Sequence, residues 1–245
     1  MLSKDLPLGI DVSKWQGAIL WKQTAINVPK VHFAAVRATI DDWYMDSKFV
    51  FNYTMSQENK IPTTAYHVVR PNKAPKPQAQ FFIETMKKVG APDLPLVLDL
   101  ELDLGMGKDA IRQNVYDQAR YIEDATGKKP MMYSRKNWVE GHLAPKQWLN
   151  EYDWWLAIYT RDGSEHQGPA LAPEGVDQAR VKIHQSTDRG KPIGTESKQM
   201  DYDRWQGNEF DFYAYVSEFN GEAPQKPTLT LEERVCRIEN ILNIS

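Results

Sequence analysis

Two carboxyl residues, Asp99 and Glu101, follow an apolar run in the stretch LPLVLDLELD at residues 94–103. Burying an ionised carboxylate costs several kcal/mol or more unless it is paired, so acids at this point need a chemical reason. Residues i and i+2 of a strand point to the same face, which places these two side chains together. Because neighbouring carboxyls resist ionising together, one is expected to hold a proton near neutral pH. An acid beside a carboxylate is the pair that hydrolyses glycosidic bonds.

Two further acids favour this chemistry over a strand that merely exits into solvent. Asp11 ends the first predicted strand, and Asp201 lies in the last. In a closed barrel the first and last strands are neighbours, and active sites form at the carboxyl ends of the strands. The four acids are therefore predicted to meet at one mouth of the barrel.

The elements that would position these acids are short apolar segments that alternate with helical or loop-like ones. Eight strands are predicted, at 8–12, 32–38, 63–69, 94–101, 130–134, 154–159, 181–185 and 199–202. Helices are predicted at 46–59, 77–89 and 108–126, the last of them stopping at Gly127. This alternation predicts an α/β fold with a parallel sheet, closed as an irregular (β/α) TIM-like barrel of about eight strands.

The chain is predicted to divide into a barrel at 1–217, a polar, proline-containing linker at 218–227 and a short amphipathic C-terminal helical tail at 228–245. Thr230 and Glu233 form a capping box. The apolar seam of the tail follows heptad spacing and consists of Leu231, Val235, Ile238 and Leu242. Two heptads are too short to be stable alone, so this helix should self-associate into a homo-oligomer or dock on the barrel. Of the two, we expect self-association.

Composition excludes several classes of function. A net charge of −3 gives no reason to expect nucleic acid or an anionic membrane as a partner. One cysteine and five histidines without HExxH spacing predict neither a metal site nor a cofactor. The 8 Trp and 11 Tyr offer flat faces for sugar rings, although bulky core residues would account for them equally. Candidate stacking platforms are Trp15, Trp43, Trp138, Trp155 and Trp205.

A set of short motifs runs in order along residues 8–206. They are GIDVSKWQG at 9–17, AVRAT at 35–39, AYH at 65–67, LVLDLE at 96–101, WLAIY at 155–159, HQSTDRG at 184–190 and MDYDRW at 200–205. Each is weak alone. Together, in this order, they resemble glycoside hydrolase family 25, the Chalaropsis-type lysozymes.

The resemblance implies an irregular α/β barrel that cleaves the β-1,4 bond between N-acetylmuramic acid and N-acetylglucosamine in bacterial peptidoglycan. Among the four acids, it assigns Glu101 as the general acid and Asp99 as the second carboxylate, with Asp11 and Asp201 in support. It also implies a sugar groove lined by Tyr66, Tyr133 and Tyr159. We add Trp155 to the groove, since at most one ring of the Trp154–Trp155 pair can face the barrel.

The sequence departs from the family pattern at two positions near the groove. Asp41 stands where the family has glycine, and we expect this change to alter a loop over one edge of the groove. Asp203 replaces the family's asparagine in the closing D-x-N. The second change leaves open whether Asp201 or Asp203 faces the site.

The sequence leaves other functions open. A glycosidase for another N-acetylated polymer such as chitin, a non-catalytic carbohydrate-binding barrel and a structural virion component are the alternatives. The N-terminus MLSKDLPLGIDVS lacks the pattern of a signal peptide. We therefore expect a bacteriophage or prophage endolysin, made in the cytoplasm and reaching the cell wall after release by a holin or delivery by a virion.

Overall fold

The computed structural model describes residues 3–223, and in them nine strands form one sheet. In chain order these are β1 (Leu8–Val12), β2 (Val31–Ile40), β3 (Tyr44–Met45), β4 (Thr63–Val68), β5 (Val97–Asp99), β6 (Met131–Arg135), β7 (Trp154–Ala157), β8 (Val181–Gly190) and β9 (Met200–Trp205). Eight of them follow the order β1-β9-β8-β7-β6-β5-β4-β2, and pairing of β1 with β2 closes the barrel. The two-residue β3 extends the sheet beside β2, outside the circle.

The barrel is mixed rather than wholly parallel, which corrects the expected parallel sheet. Seven strands run in parallel, whereas β9 is antiparallel to both of its neighbours, β1 and β8. The reason is the short connection from Gly190 to Met200, which contains no helix and returns the chain beside β8 as a hairpin. All eight barrel strands were predicted, with ends that differ by a few residues.

Helices cover the outside of the barrel. They are α1 (Trp21–Ala25), α2 (Phe49–Glu58), α3 (Pro75–Met86), α4 (Lys108–Thr126), α5 (Lys136–His142) and α6 (Glu209–Asn220), with three short 3-10 turns. The three predicted helices correspond to α2, α3 and α4. The structure adds α1, α5 and α6, which sequence periodicity did not reveal because α1 and α5 are short and α6 carries aromatic residues on more than one face.

Local chemistry explains where the main helices begin and end. Pro75 and Pro77 both lie in the first turn of α3, where backbone N–H groups have no partner within the helix, so proline is tolerated. Helix α4 stops at Gly127, which adopts the left-handed conformation at φ 71°. Helix α6 begins at a capping box between Asn208 and Asp211.

Helix α6 extends into the segment that was predicted to be a linker. It continues through Asn220 to Gly221, which takes φ 71°, so residues 218–220 are helical and do not belong to a linker. The rest of the predicted linker from residue 224, and the whole predicted tail at 228–245, lie outside the described residues.

Two apolar layers hold the barrel together. The outer layer packs alternate strand residues, such as Ile10, Val36 and Trp154, against the helices. The inner layer fills the interior of the barrel, mostly with the strand residues that alternate with those of the outer layer. It consists of Phe33, Ala35, Leu94, Val97, Met131, Tyr133, Trp155, Ala157, Ile183, Trp205 and Phe212. As predicted, the two adjacent tryptophans point to opposite sides of their strand.

Helix α6 closes the amino-terminal end of the barrel. Its Phe212 stacks on Phe33 at a centroid distance of 5.4 Å and meets the edge of Trp205 at 5.6 Å. Gly9 makes room for this plug, because a Cβ there would lie 2.2 Å from the Phe33 ring. The apolar packing therefore fills one end of the barrel and leaves the carboxyl end of the strands for polar side chains.

No helix in residues 3–223 has the length and apolar character needed to cross a bilayer.

Candidate active site

An open cavity of about 310 Å³ lies at the carboxyl ends of the parallel strands. Its lining is Asp11, Ser13, Trp15, Gln16, Arg37, Tyr66, Asp99, Glu101, Tyr133, Arg135, Trp155, Tyr159, Gln185, Asp188 and Asp201. All eight residues that the sequence proposed for the site are among them. The structure thus brings together side chains separated by up to 190 positions in the chain.

Strand pairing explains why the supporting acids meet. Asp11 on β1 pairs directly with Asp201 on β9, so their side chains are cross-strand neighbours on the inner face of the barrel. Asp99 is the last residue of β5, and its backbone carbonyl accepts a hydrogen bond from Val69 N–H at 3.0 Å. Asp11 and Asp99 are buried at the base of the mouth, and Asp201 is partly buried.

Glu101 lies two residues beyond the end of β5, on a segment that hydrogen bonds hold in place. The backbone N–H of Leu100 donates to Tyr133 O at 2.9 Å, and Ser134 Oγ donates to Leu100 O at 2.5 Å. Leu100 is thereby fixed on both sides, so its two acidic neighbours keep their positions. The side chain of Glu101 is 34% exposed, and its Oε1 lies 3.4 Å from Arg135 Nε. Glu101 is therefore the more accessible member of the pair to an incoming ligand, although both line the cavity.

Gln185, which the sequence did not propose, organises the opposite wall. Its Nε2 donates to Asp11 Oδ2 at 2.5 Å. Its Oε1 accepts hydrogen bonds from the hydroxyls of Tyr133, at 2.7 Å, and Tyr159. One amide side chain thus fixes an acid and two of the proposed groove tyrosines. Gln185 is the last residue of the strand predicted at 181–185, and this position at the carboxyl end of a barrel strand was the signal that could have identified it.

Asp201, and not Asp203, faces the cavity. Both side chains point into the barrel, because residues i and i+2 of β9 share a face, but β9 runs antiparallel, so Asp203 lies deeper. Asp203 is fully buried and accepts a hydrogen bond from Trp155 Nε1 at 2.9 Å. The indole of Trp155 is only 3% exposed, so this ring holds Asp203 and offers the cavity a small part of its surface.

The acids of the mouth bind protons more tightly than ordinary carboxyls. Burial, followed by the charge of Glu101, raises the pKa of Asp99 well above its usual value. Burial, followed by Asp201 and Asp203, does the same for the pKa of Asp11. For Asp203 the raising effects of burial and of Asp201 outweigh hydrogen bonds from Trp155 and Asp11, which lower its pKa. The sequence predicted a retained proton on one member of the Asp99–Glu101 pair. In the structure a raised pKa is shared by several carboxyls, and within the pair it belongs to Asp99.

Asp201 is more accessible than its neighbours, and its pKa rises to about 7. Burial is the largest cause, and the charges of Asp188 and Glu101 add to it. Asp188 was not proposed from the sequence. It follows the conspicuous HQST motif on β8 and adds another negative charge to the rim.

The positive charges near the cavity are partly engaged elsewhere. Arg37 lines the cavity, but its Nε donates to the buried carboxylate of Asp46 at 2.8 Å. Arg135 lies beside Glu101 on the rim. The mouth therefore contains more carboxyls than cations, which adds to the effect of burial in keeping protons bound there.

The departure from the family pattern at Asp41 leaves the local backbone in a conformation that suits glycine. Asp41 has φ 61°, in the left-handed region that aspartate tolerates better than most residues. Its Oδ1 accepts a hydrogen bond from the N–H of Asp42 at 2.8 Å, which supports the turn.

Metal-binding geometry is not found in the described part of the chain. No group of three or more His, Cys, Asp or Glu side chains within residues 3–223 is arranged to hold a metal ion.

Comparison with known proteins relates this architecture to one family. The family model "Glycosyl hydrolases family 25" matches residues 10–195. The chain is 32% identical over 211 residues to the uncharacterized protein YegX of Escherichia coli O157:H7, covering 85% of this chain and 72% of that protein. It is 32% identical over 140 residues to Lysozyme M1 of Streptomyces globisporus, covering 53% of this chain and 47% of that protein. Among solved structures, the lysozyme of Streptomyces coelicolor superposes with a TM-score of 0.74 at 24% identity, covering 87% of this chain and 98% of the other.

The raised pKa of Asp201 predicts a pH-dependent effect of Asp201→Asn on stability. A folded-state pKa of about 7, against 3.8 for the ordinary group, means that the folded protein binds this proton more tightly than the unfolded chain. The associated stability is present below pH 4 and is lost as pH rises to about 7. Asparagine does not titrate. The free energy of unfolding of the variant, relative to that of the wild type, should therefore increase across this window by up to about 4 kcal/mol.

The measurement is the free energy of unfolding in denaturant at pH 4, 5.5, 7 and 8 for both proteins. Asp162→Asn is the control, because hydrogen bonds from Ser164 lower the pKa of this exposed carboxyl to about 2, and its replacement should act in the opposite direction. A constant difference between wild type and Asp201→Asn at all four pH values would contradict the assignment.

Proposed function

The chain belongs to the glycosyl hydrolases of family 25, and we propose that it cleaves the β-1,4 bond between N-acetylmuramic acid and N-acetylglucosamine in bacterial peptidoglycan. Membership makes it a glycoside hydrolase of the lysozyme (muramidase) type. The family match supports the substrate class, and the observation that carries the site is the arrangement of Glu101 and Asp99 on the wall of one open cavity with Asp11 and Asp201.

The proposed general acid is Glu101. Its side chain is exposed enough to reach the leaving oxygen of a bound glycan, while the hydrogen bonds on Leu100 prevent the segment from moving away. In the reaction, the proton held by the Asp99–Glu101 pair lies on Glu101 when the glycosidic bond breaks, and it passes to the leaving O4 of the next sugar. Arg135 then stabilises the carboxylate that remains.

The proposed role of Asp99 is to orient the 2-acetamido group of the substrate. The acetamido oxygen attacks C1 as the glycosidic bond breaks, and Asp99 accepts a hydrogen bond from the amide N–H and stabilises the oxazolinium cation. Burial makes this interaction strong, because the low local dielectric that raises the pKa of Asp99 also increases its attraction for a positive charge. Water then attacks C1, the bond between C1 and the acetamido oxygen breaks to restore the acetamide, and the Glu101 carboxylate takes the proton of the water.

The supporting acids complete the arrangement. Asp11 is held by Gln185, and Asp201 lies opposite it on β9, so both place polar carboxyl groups near the developing oxazolinium ion. Tyr66, Tyr133, Tyr159 and Trp155 supply the walls of the groove. Of these, Tyr133 and Tyr159 are fixed by Gln185, so the groove is ordered before a glycan enters.

Replacement of the acids tests the assignment. Glu101→Gln should lower the turnover of purified peptidoglycan by about 10²–10⁴-fold, because a neutral amide cannot donate the proton. Asp99→Asn should lose a comparable or larger factor. The measurement is the release of reducing ends from peptidoglycan, with chitin as a parallel substrate to test the alternative polymer. Glu58→Gln, which changes an exposed acid on α2, is the matched control and should retain wild-type activity.

Wild-type turnover in either active-site variant would remove the residue from the mechanism. Cleavage of chitin with equal efficiency would contradict the proposed preference for peptidoglycan.

Participation of the acetamido group predicts retention of configuration at the anomeric carbon. Two successive displacements at C1, first by the acetamido oxygen and then by water, restore the original configuration. Proton NMR of the first products should therefore show the β-anomer before mutarotation begins. The α-anomer as first product would instead support direct attack by water.

We further propose that the protein acts in bacterial lysis as an endolysin of a bacteriophage or prophage. Peptidoglycan lies outside the cytoplasmic membrane, so an enzyme made in the cytoplasm needs a holin or a virion to reach it. Expression in a bacterial host with and without a co-expressed holin tests this route. Rapid lysis only when the holin is present supports it, and equal lysis without a holin contradicts it.

The division into a barrel, a linker and a self-associating tail is also a proposal, and it rests on the heptad spacing of Leu231, Val235, Ile238 and Leu242. Association would let several barrels engage one wall and increase avidity. Sedimentation equilibrium of the full chain and of Ile238→Glu decides it. A monomer in both cases rules out association through the tail.

A further inference from the structure

Two tryptophans beside the cavity are unusually exposed. Trp15 is 73% exposed and Trp43 is 70% exposed, well above the exposed aromatic side chains of Phe210, at 47%, and Phe51, at 45%. Both lie on loops at the carboxyl ends of neighbouring strands, Trp15 after β1 and Trp43 between β2 and β3. They therefore share a face of the protein with the carboxyl cluster. Exposed indoles add little to the stability of the fold, and their position beside a cavity indicates binding.

A continuous set of contacts connects these rings to the cavity. Trp15 is part of the cavity lining. Lys14 Nζ lies 4.9 Å from the Trp15 ring centroid and 5.1 Å from that of Tyr44. Tyr44 in turn contacts Trp43 edge to face at 5.7 Å. We call these four residues, Trp15, Lys14, Tyr44 and Trp43, the aromatic strip. It leads outward from the cavity along the β2–β3 side of the mouth.

Hydrogen bonds order the loops that carry the strip. The fully buried carboxylate of Asp46 accepts from Lys14 N–H at 3.1 Å and from Lys48 N–H at 2.9 Å, which joins the two loops. The turn of Trp15 is closed by Ser13, whose N–H donates to Gln16 Oε1 at 2.9 Å. Because these hydrogen bonds hold the loops, little conformational entropy remains to be lost when the rings bind a ligand.

We propose that the aromatic strip is an additional binding subsite for the peptidoglycan glycan strand, beyond the sugars that occupy the cavity. This inference rests on the proposed hydrolysis of peptidoglycan. Pyranose rings have apolar C–H faces edged by hydroxyls, and indole and phenol rings match them with a flat apolar face and a polar edge. The Lys14 ammonium supplies a positive charge for the carboxylates of the stem peptides. The strip is continuous with the cavity, so a glycan strand that leaves the cavity on this side passes over it. The proposed occupant is therefore the same glycan.

The test is Trp43→Ala, because Trp43 belongs to the strip and lies outside the cavity lining. The substrates are soluble glycan strands of defined length, from the shortest oligosaccharide that the wild type cleaves to long polymers. On long strands the KM of the variant should rise about five- to tenfold with little change in kcat, as expected for loss of one stacking contact. On the shortest substrate both constants should equal those of the wild type.

Two further variants separate stacking from a loss of structure. Trp43→Tyr keeps a flat ring and should recover most of the affinity for long strands. Phe210→Ala removes an exposed aromatic ring on α6, at the opposite end of the barrel, and should leave both constants unchanged.

The outcomes distinguish this inference from the proposed function. If the wild type cleaves peptidoglycan but Trp43→Ala has the same KM as wild type on long strands, or an equal loss on short and long substrates, the subsite is wrong while the activity stands. If the wild type releases no reducing ends from any strand, the proposed function fails, and the subsite fails with it.

Discussion

Several carboxyl groups buried together at one end of a closed sheet are the constraint on which this structure depends. Asp11, Asp99, Asp201 and Asp203 all lie inside the barrel or at its mouth, and burial is the largest cause of the raised pKa of each. Such a cluster opposes folding whenever its members ionise. The protein limits this cost by retaining protons, which leaves the buried carboxyls largely neutral.

The barrel tolerates the cluster because apolar side chains fill one end of its interior and polar side chains fill the other. Phe33, Trp205 and Phe212 fill the amino-terminal end with stacked rings, which stabilise the fold and exclude water. Polar side chains occupy the carboxyl end, where Gln185 satisfies an acid and two tyrosine hydroxyls at once. An amide is suited to this position because it donates and accepts without carrying a charge of its own.

Asp203, which stands where the family pattern has asparagine, adds a further buried carboxyl to this cluster. Asp203 lies beneath Asp11 and Asp201, and it accepts a hydrogen bond from Trp155. Its carboxyl raises the pKa of Asp11, so the innermost acids are coupled through a residue that does not line the cavity. A ring assigned to the groove on sequence grounds thus also positions a buried acid.

The sequence by itself determined the strands, the family and the acids. Short apolar runs placed all eight barrel strands, and i, i+2 spacing put Asp99 and Glu101 on one face, because both patterns are local properties of a strand. The motifs ordered along the chain identified Asp11 and Asp201 as partners of that pair. Strand order around the barrel then followed from closure, which the observed β1–β9 and β1–β2 pairings show.

Only the tertiary structure decided what depends on contacts between distant segments. The antiparallel direction of β9 placed Asp201 in the cavity and Asp203 behind it, a choice that the D-x-D spacing cannot make because both side chains share a face. The role of Gln185 and the exposure of Trp15 and Trp43 likewise arise from neighbours far away in the chain. Helix α6 was missed because its aromatic residues pack in several directions, and its function as a plug exists only once the barrel has closed. Local patterns therefore specify elements and candidate chemistry, while burial and charge at the site are properties of the assembled fold.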